Sequence, residues 1–181
     1  MCGICAGVKD KVNLGDVLLA DPAWDFQSGK RVKDKKNNAF SISPHQLHVS
    51  SLVRSHVQQL RNDQALLSQI AVNFGSDAPG MTRLVVGPVA SGSAVLADGE
   101  VINEIKLLHR DLVGVEMEGY GLYAAAHAAS EPKPLAFSLK GVCDFADPDK
   151  ANHAQRYAAY ASAQVLRLLM ERFGPRLLDR N

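Results

Sequence analysis

The sequence predicts an α/β fold, helices covering a central sheet, from three observations. Apolar runs short enough for strands alternate with longer amphipathic stretches. Those runs end in glycine, proline or acidic residues, as strands entering loops do. The chain has 181 residues and is 46% hydrophobic, enough for one domain with a core of its own, residues 1–181.

The elements follow in order. "MCGICAGV" is a short apolar run ending in Gly7, and "DVLLAD" (Asp16 to Asp21) is a second, with "NLG" as the turn before it. "PAWDFQSGKRVKDKKNNAF" is polar and irregular and reads as a long loop. Helical signals begin at Ser43 and Pro44, with Leu47, Leu52, Val53 and Val57 roughly on one face. "GMTRLVVGPVASGSAVLAD" reads as a strand, a Gly-Pro break, a small-residue loop and a second strand. "VINEIKLLH" is a short amphipathic helix, "RDLVG" a short buried strand and "LYAAAHAA" a small-residue helix. "KPLAFSLKGVCDFAD" is a strand ending in an acidic loop, and "HAQRYAAYASAQVLRLLMERF" a closing helix stopped by Gly174 and Pro175.

Composition narrows the class. Net charge is +1, and the one basic cluster, "GKRVKDKK" at Gly29 to Lys36, includes Asp34 and reads as a solvated loop, not a nucleic-acid surface. No apolar stretch reaches the ~18–20 residues that a membrane span needs, and no basic region precedes an apolar run at the N-terminus. Three cysteines, an odd number, fit a reducing cytoplasm better than a disulfide framework. The partner expected is a small molecule, with no nucleic acid and no membrane.

In open α/β sheets ligands sit beyond the carboxyl ends of the strands. Three segments end a predicted strand with small or acidic residues: Cys5 to Gly7, Ala90 to Ser93 and Cys143 to Asp147. A fourth junction, "GVEMEGYG" at Gly114 to Gly121, sets Glu116 and Glu118 between a buried strand and a buried helix. Each has an ordinary explanation, since glycine turns are common and an acid at a helix start complements the dipole or caps the turn. Together they supply backbone donors, close approach and carboxylates.

"GICAGV…NLGDVLLAD", "GPVASGSAV", "GVEMEGYGLYAAA" and "KGVCDFAD", in this order and spacing, resemble the nucleoside phosphorylase and nucleosidase family, which includes the methylthioadenosine/S-adenosylhomocysteine nucleosidases. The resemblance runs from Gly3 to about Leu166. It implies a three-layer α/β/α fold with a central mixed sheet whose first strands are missing here, leaving an exposed apolar edge. It implies an N-glycosidic bond-cleaving enzyme in which Glu118 holds the ribose hydroxyls, Met117 lies against the sugar and Asp144 shares a proton with the purine at N7. Cys5, Ala6, Gly7, Ser91, Gly92, Cys143 and Phe145 then line the anion, sugar and base pockets. No metal or cofactor is implied, with phosphate a possible co-substrate, and a homo-oligomer is expected.

The chemistry needs those residue types. Glycosidic cleavage builds positive charge on the ribose and negative charge on the departing base. An acid at the base is commonly worth ~10²–10⁴-fold, and burial beside Val142 and Phe145 would keep Asp144 protonated. Glu116 reads as a supporting residue on the opposite face from Met117, and Asp147 as a loop or cap residue. Cys5 stands where many members carry serine; a thiol is a weaker donor, which favours water over phosphate as nucleophile. The other class compatible with the residues is a nucleoside-binding module lacking the nucleophile-activating half.

Competing constellations are weaker. Cys2 and Cys5 with His45 and His48 are ligand types for zinc, but ~40 residues separate the pairs. A cysteine nucleophile partnered by His109 or His127 has no supporting spacing, and His127 reads as a packed or half-exposed helix residue. Trp24 and Phe26 suit either a base-stacking or a packing role.

Overall fold

A computed structural model describes residues 1–33, 38–42, 45–93, 99–146 and 154–179. The described elements, in chain order, are β1 (Cys2–Gly7), β2 (Val17–Asp25), β3 (Gly29–Lys33), β4 (Asn38–Ile42), β5 (Gln46–Leu47), α1 (Ser51–Arg61), α2 (Gln64–Phe74), β6 (Leu84–Ser91), α3 (Gly99–Leu108), β7 (Gly114–Glu116), α4 (Gly119–Ala128), β8 (Leu139–Asp144) and α5 (Gln155–Leu178).

β2 is buried from Val17 through Trp24, so protein covers both of its faces. It pairs parallel with β6, antiparallel with β5 at Ala23 and Trp24, and antiparallel with β8 at Val17 to Leu19. The main sheet runs β5-β2-β6-β7-β1-β8, and the β2–β8 pairing closes five of its strands into a ring. Parallel pairs (β1–β8, β2–β6, β6–β7) and antiparallel pairs coexist, as expected for a mixed central sheet. The expected open edge survives in one place. β7 meets β1 only at Ala6 and Gly7, so among the described residues Cys2 to Cys5 pair on one side only, with β8.

The helices follow their apolar stripes. α1 buries Val53, His56, Val57 and Leu60, and α5 buries Val165, Leu169, Phe173 and Leu177, in one core with β2 and β8. Gly141 lets α5 lie directly on β8: a Cβ there would come within 2.6 Å of the Ala158 carbonyl carbon. α4 packs on β2 and β6.

Several boundaries differ from the sequence-based expectation. β2 continues through Pro22 to Asp25, and β3–β4 form a hairpin, so the expected long loop is largely paired backbone. Helix α1 starts at Ser51, with Ser50 Oγ accepting from Val53 N–H; Gln46 and Leu47 are strand, while Ser43 and Pro44 lie outside the described residues. The helical stretch is two helices, because Asp63 caps a second start at Gln64. β6 passes through Gly87-Pro88 unbroken; Gly87 admits the Val113 side chain, and residues 94–98 of the expected second strand lie outside the described set. α5 continues past Gly174 and Pro175 to Leu178, because burial of Leu177 outweighs one lost helical hydrogen bond.

Candidate active site

The parallel pair β1–β8, the end of β7 and the start of α5 enclose a cavity of about 570 Å³. Cys5, Ala6, Met117, Glu118, Cys143 and Asp144 lie on its wall, with Met1 to Ile4, Val115, Glu116, Lys140 and Gln155. Six of the ten residues that the sequence singles out are therefore brought together. Strand β1 supplies the floor along its singly paired edge, β8 delivers Cys143 and Asp144 at its carboxyl end, and the β7–α4 junction delivers Met117 and Glu118.

The two glutamates of that junction take different tasks. Glu116 is 5% exposed. It accepts from Glu118 N–H at 2.9 Å, from Gly119 N–H at 2.8 Å and from Ser91 Oγ. It thus caps α4 from two residues before the helix-flanking position, doing the work that an N-cap side chain does elsewhere. Glu118 occupies the N-cap position but makes no capping bond. Its side chain is 57% exposed and points its carboxylate at Lys140, whose Nζ donates at 2.6 Å. Lys140 Nζ also lies 3.1 Å from Glu116 Oε2.

Charge explains why this cluster holds. Burial pushes the Glu116 carboxyl up, but the bonds from Ser91 and the backbone, with the Lys140 charge, outweigh it and hold the group below its ordinary value. Burial likewise pulls the Lys140 ammonium down, and its bonds to Glu118 and Glu116 more than offset that. Two carboxylates around one ammonium leave the cluster anionic, suited to hydroxyl donors or to developing positive charge.

Asp144 is half-buried. Its Oδ1 accepts from Ala146 N–H at 2.8 Å, a turn that places Ala146 at φ 55°, and its Oδ2 accepts from Cys143 Sγ at 3.5 Å. Cys5 Sγ lies 3.8 Å from the Lys140 carbonyl oxygen, facing the core, and burial first, then the neighbouring Cys143, pushes its thiol well up. That orientation does not aim it at an anion.

Four singled-out residues lie off the cavity wall. Ser91 is buried between Glu116 and Tyr120, whose N–H it accepts at 2.9 Å. Gly92 packs under the Phe26 ring, Gly7 against Val12 and Val142, and Phe145 sits beneath Lys9 Nζ at 5.8 Å. Trp24 is 1% exposed and Phe26 packs beside it, so both are packing residues. His45 bonds Tyr120 Oη and His48 bonds the buried Asp21, on separate partners from Cys2 and Cys5. His109 lies beside Trp24, His127 is exposed on α4, and Asp147 lies outside the described residues.

Lys140 is the residue that sequence reasoning missed. The signal was present: a lone cation inside a buried strand demands a buried counter-charge.

Comparison with known proteins bears on the family. The family model of the Phosphorylase superfamily matches residues 1–174. Uncharacterized protein y4jS of Sinorhizobium fredii (strain NBRC 101917 / NGR234) is 34% identical over 166 residues, covering 91% of this chain and 40% of that protein. ATP nucleosidase Cap17 of Escherichia coli (strain KTE188) is 26% identical over 179 residues, covering 91% of this chain and 34% of that protein. The chain thus spans well under half the length of these relatives. Among solved structures, a 5′-methylthioadenosine/S-adenosylhomocysteine nucleosidase from Colwellia psychrerythraea 34H, in complex with adenine, matches with a TM-score of 0.70 at 16% identity, over 94% of this chain and 64% of that one. This last likeness speaks to the fold.

Proposed function

The chain belongs to the phosphorylase superfamily, and on that premise we propose that it cleaves the N-glycosidic bond of a purine nucleoside or nucleotide. One observation carries the reading: Glu118 and Asp144 share the wall of a single cavity large enough for a nucleoside. The matched relatives named as nucleosidases support the bond that is broken.

Glu118 accepts the ribose 2′ and 3′ hydroxyls through its lone pairs. In the transition state the C1′–N9 bond breaks, its electron pair leaves with the base, and the ribose carries oxocarbenium charge. The Asp144 carboxyl gives its proton to N7, so the base departs neutral, while the nearby Glu118 carboxylate favours the cationic sugar. The nucleophile adds its oxygen at C1′; a water nucleophile then sheds a proton to solvent, and solvent returns one to Asp144. Water is the nucleophile that the wall favours, because the Cys5 thiol is a weak donor turned toward the core.

The test is release of free base from methylthioadenosine, inosine, adenosine and ATP, with and without phosphate, by this chain and its Asp144→Asn variant. Release that falls about 10²-fold or more in the variant is the expected result. Release unchanged in Asp144→Asn, or no release from any substrate by folded chain, would overturn the reading.

A further inference from the structure

We propose that Lys140 is a positioning residue that aims the Glu118 carboxylate and so sets the site's selectivity for a ribose carrying both hydroxyls; this rests on the reading of Glu118 as the ribose clamp. Glu118 needs such a partner. Its side chain is 57% exposed and it makes no capping bond, so nothing in its own helix orients it. A half-exposed glutamate samples several rotamers, and each must be frozen before two hydroxyls can be gripped together. Among the described residues, Lys140 is the hydrogen-bond partner of its carboxylate, at 2.6 Å.

Lys140 is itself held. Its side chain is 5% exposed, rooted in β8 between Leu139 and Gly141, and its Nζ is tied 3.1 Å from Glu116 Oε2. Glu116 is pinned in turn by Ser91 Oγ and two backbone N–H groups at the start of α4. The stem of Lys140 passes over Gly3 of β1, where a Cβ would lie 3.5 Å from Nζ and 3.6 Å from Cδ. The chain of contacts runs from rigid backbone through Glu116 and Lys140 to Glu118, and ends at the cavity. Among the described residues, Lys140 bonds Oε2 of Glu118, which leaves Oε1 and the remaining lone pair of Oε2 for hydroxyl donors. An ammonium between two carboxylates also removes the repulsion that would drive Glu118 away from Glu116.

The alternative is that Lys140 only neutralises the buried Glu116. Binding of adenosine and of 2′,3′-dideoxyadenosine separates the two, measured by calorimetry in the Asp144→Asn background so that neither is consumed. With Lys140 intact, adenosine binds about 10²-fold more tightly than the dideoxy compound, the preference expected of charge-assisted hydrogen bonds. Lys140→Met lowers that preference to about threefold while dideoxyadenosine binding changes little, and Lys140→Arg restores part of it. If Lys140→Met fails to fold, Glu116→Gln/Lys140→Met, which removes both buried charges, replaces it with the same expectation. Equal weakening of both ligands by Lys140→Met, with the preference kept, overturns the proposal while leaving the clamp in place. Absence of any preference with Lys140 intact overturns the clamp reading itself, and this proposal with it.

Discussion

Glu116 accepts the backbone N–H of Gly119 through both of its carboxylate oxygens, each at 2.8 Å. The acid that ends β7 therefore caps the helix that follows, and the residue at the N-cap position, Glu118, is left free to face the cavity. Two glutamates two residues apart are divided between holding the fold and lining the cavity.

Replacing Glu116 by glutamine should cost on the order of 2–3 kcal/mol of stability. The amide loses the charge that Lys140 pairs with and presents an NH₂ group among donors. Urea unfolding at neutral pH measures the loss. A midpoint unchanged from the parent would show that the cap is dispensable.

The same group makes stability acid-sensitive. Its folded-state carboxyl lies below the ordinary 4.5, so its contribution is fully present above that value and is lost as pH falls through the folded-state value. As pH falls from the ordinary carboxyl value through the folded-state value the parent should therefore lose more stability than Glu116→Gln, and the two unfolding curves should converge. Parallel curves over that range would place the acid sensitivity elsewhere.

Gly141→Ala should cost about 3 kcal/mol, the upper end for overpacking. The new Cβ would lie 2.6 Å from the Ala158 carbonyl carbon and 2.8 Å from its Cα. These are backbone atoms, so the whole of α5 must move off β8. Thermal melting gives the cost. Gly121→Ala, where a Cβ meets nothing within 4 Å, is the control expected to stay near zero or to gain from helix propensity.

The three thiols should label in a set order. Cys2 is exposed, while Cys5 and Cys143 are each 4% exposed, and burial pushes the Cys5 thiol well above its ordinary value. Iodoacetamide at pH ~8 should modify Cys2 first and Cys5 only on unfolding, read by peptide mass mapping. Modification of Cys5 at the rate of Cys2 would mean that the cavity floor opens readily.

Much of the fold was legible because its signals are local. The apolar runs at Cys2, Val17 and Leu139, the small-residue helix after Glu118 and the long helix before Leu178 declare their own period and burial. Boundaries were less so, since Pro22 inside β2 and Pro175 inside α5 violate a local rule that tertiary burial overrides. The site was legible as a set of strand ends: Cys5, Glu118 and Asp144 do meet at one cavity. Ser91, which the resemblance implied as a pocket residue, is buried between Glu116 and Tyr120, off the cavity wall.

By itself the sequence determined the α/β class, the family and the four segments that approach one another, because hydrophobic period and motif spacing are properties of neighbours along the chain. Only the tertiary structure decided that Glu116 caps α4, that Lys140 joins it to Glu118 from β8, and that β2 and β8 close the sheet on itself. Those facts depend on which distant strands become neighbours, and a buried charge finds its partner only once the strands have closed around it.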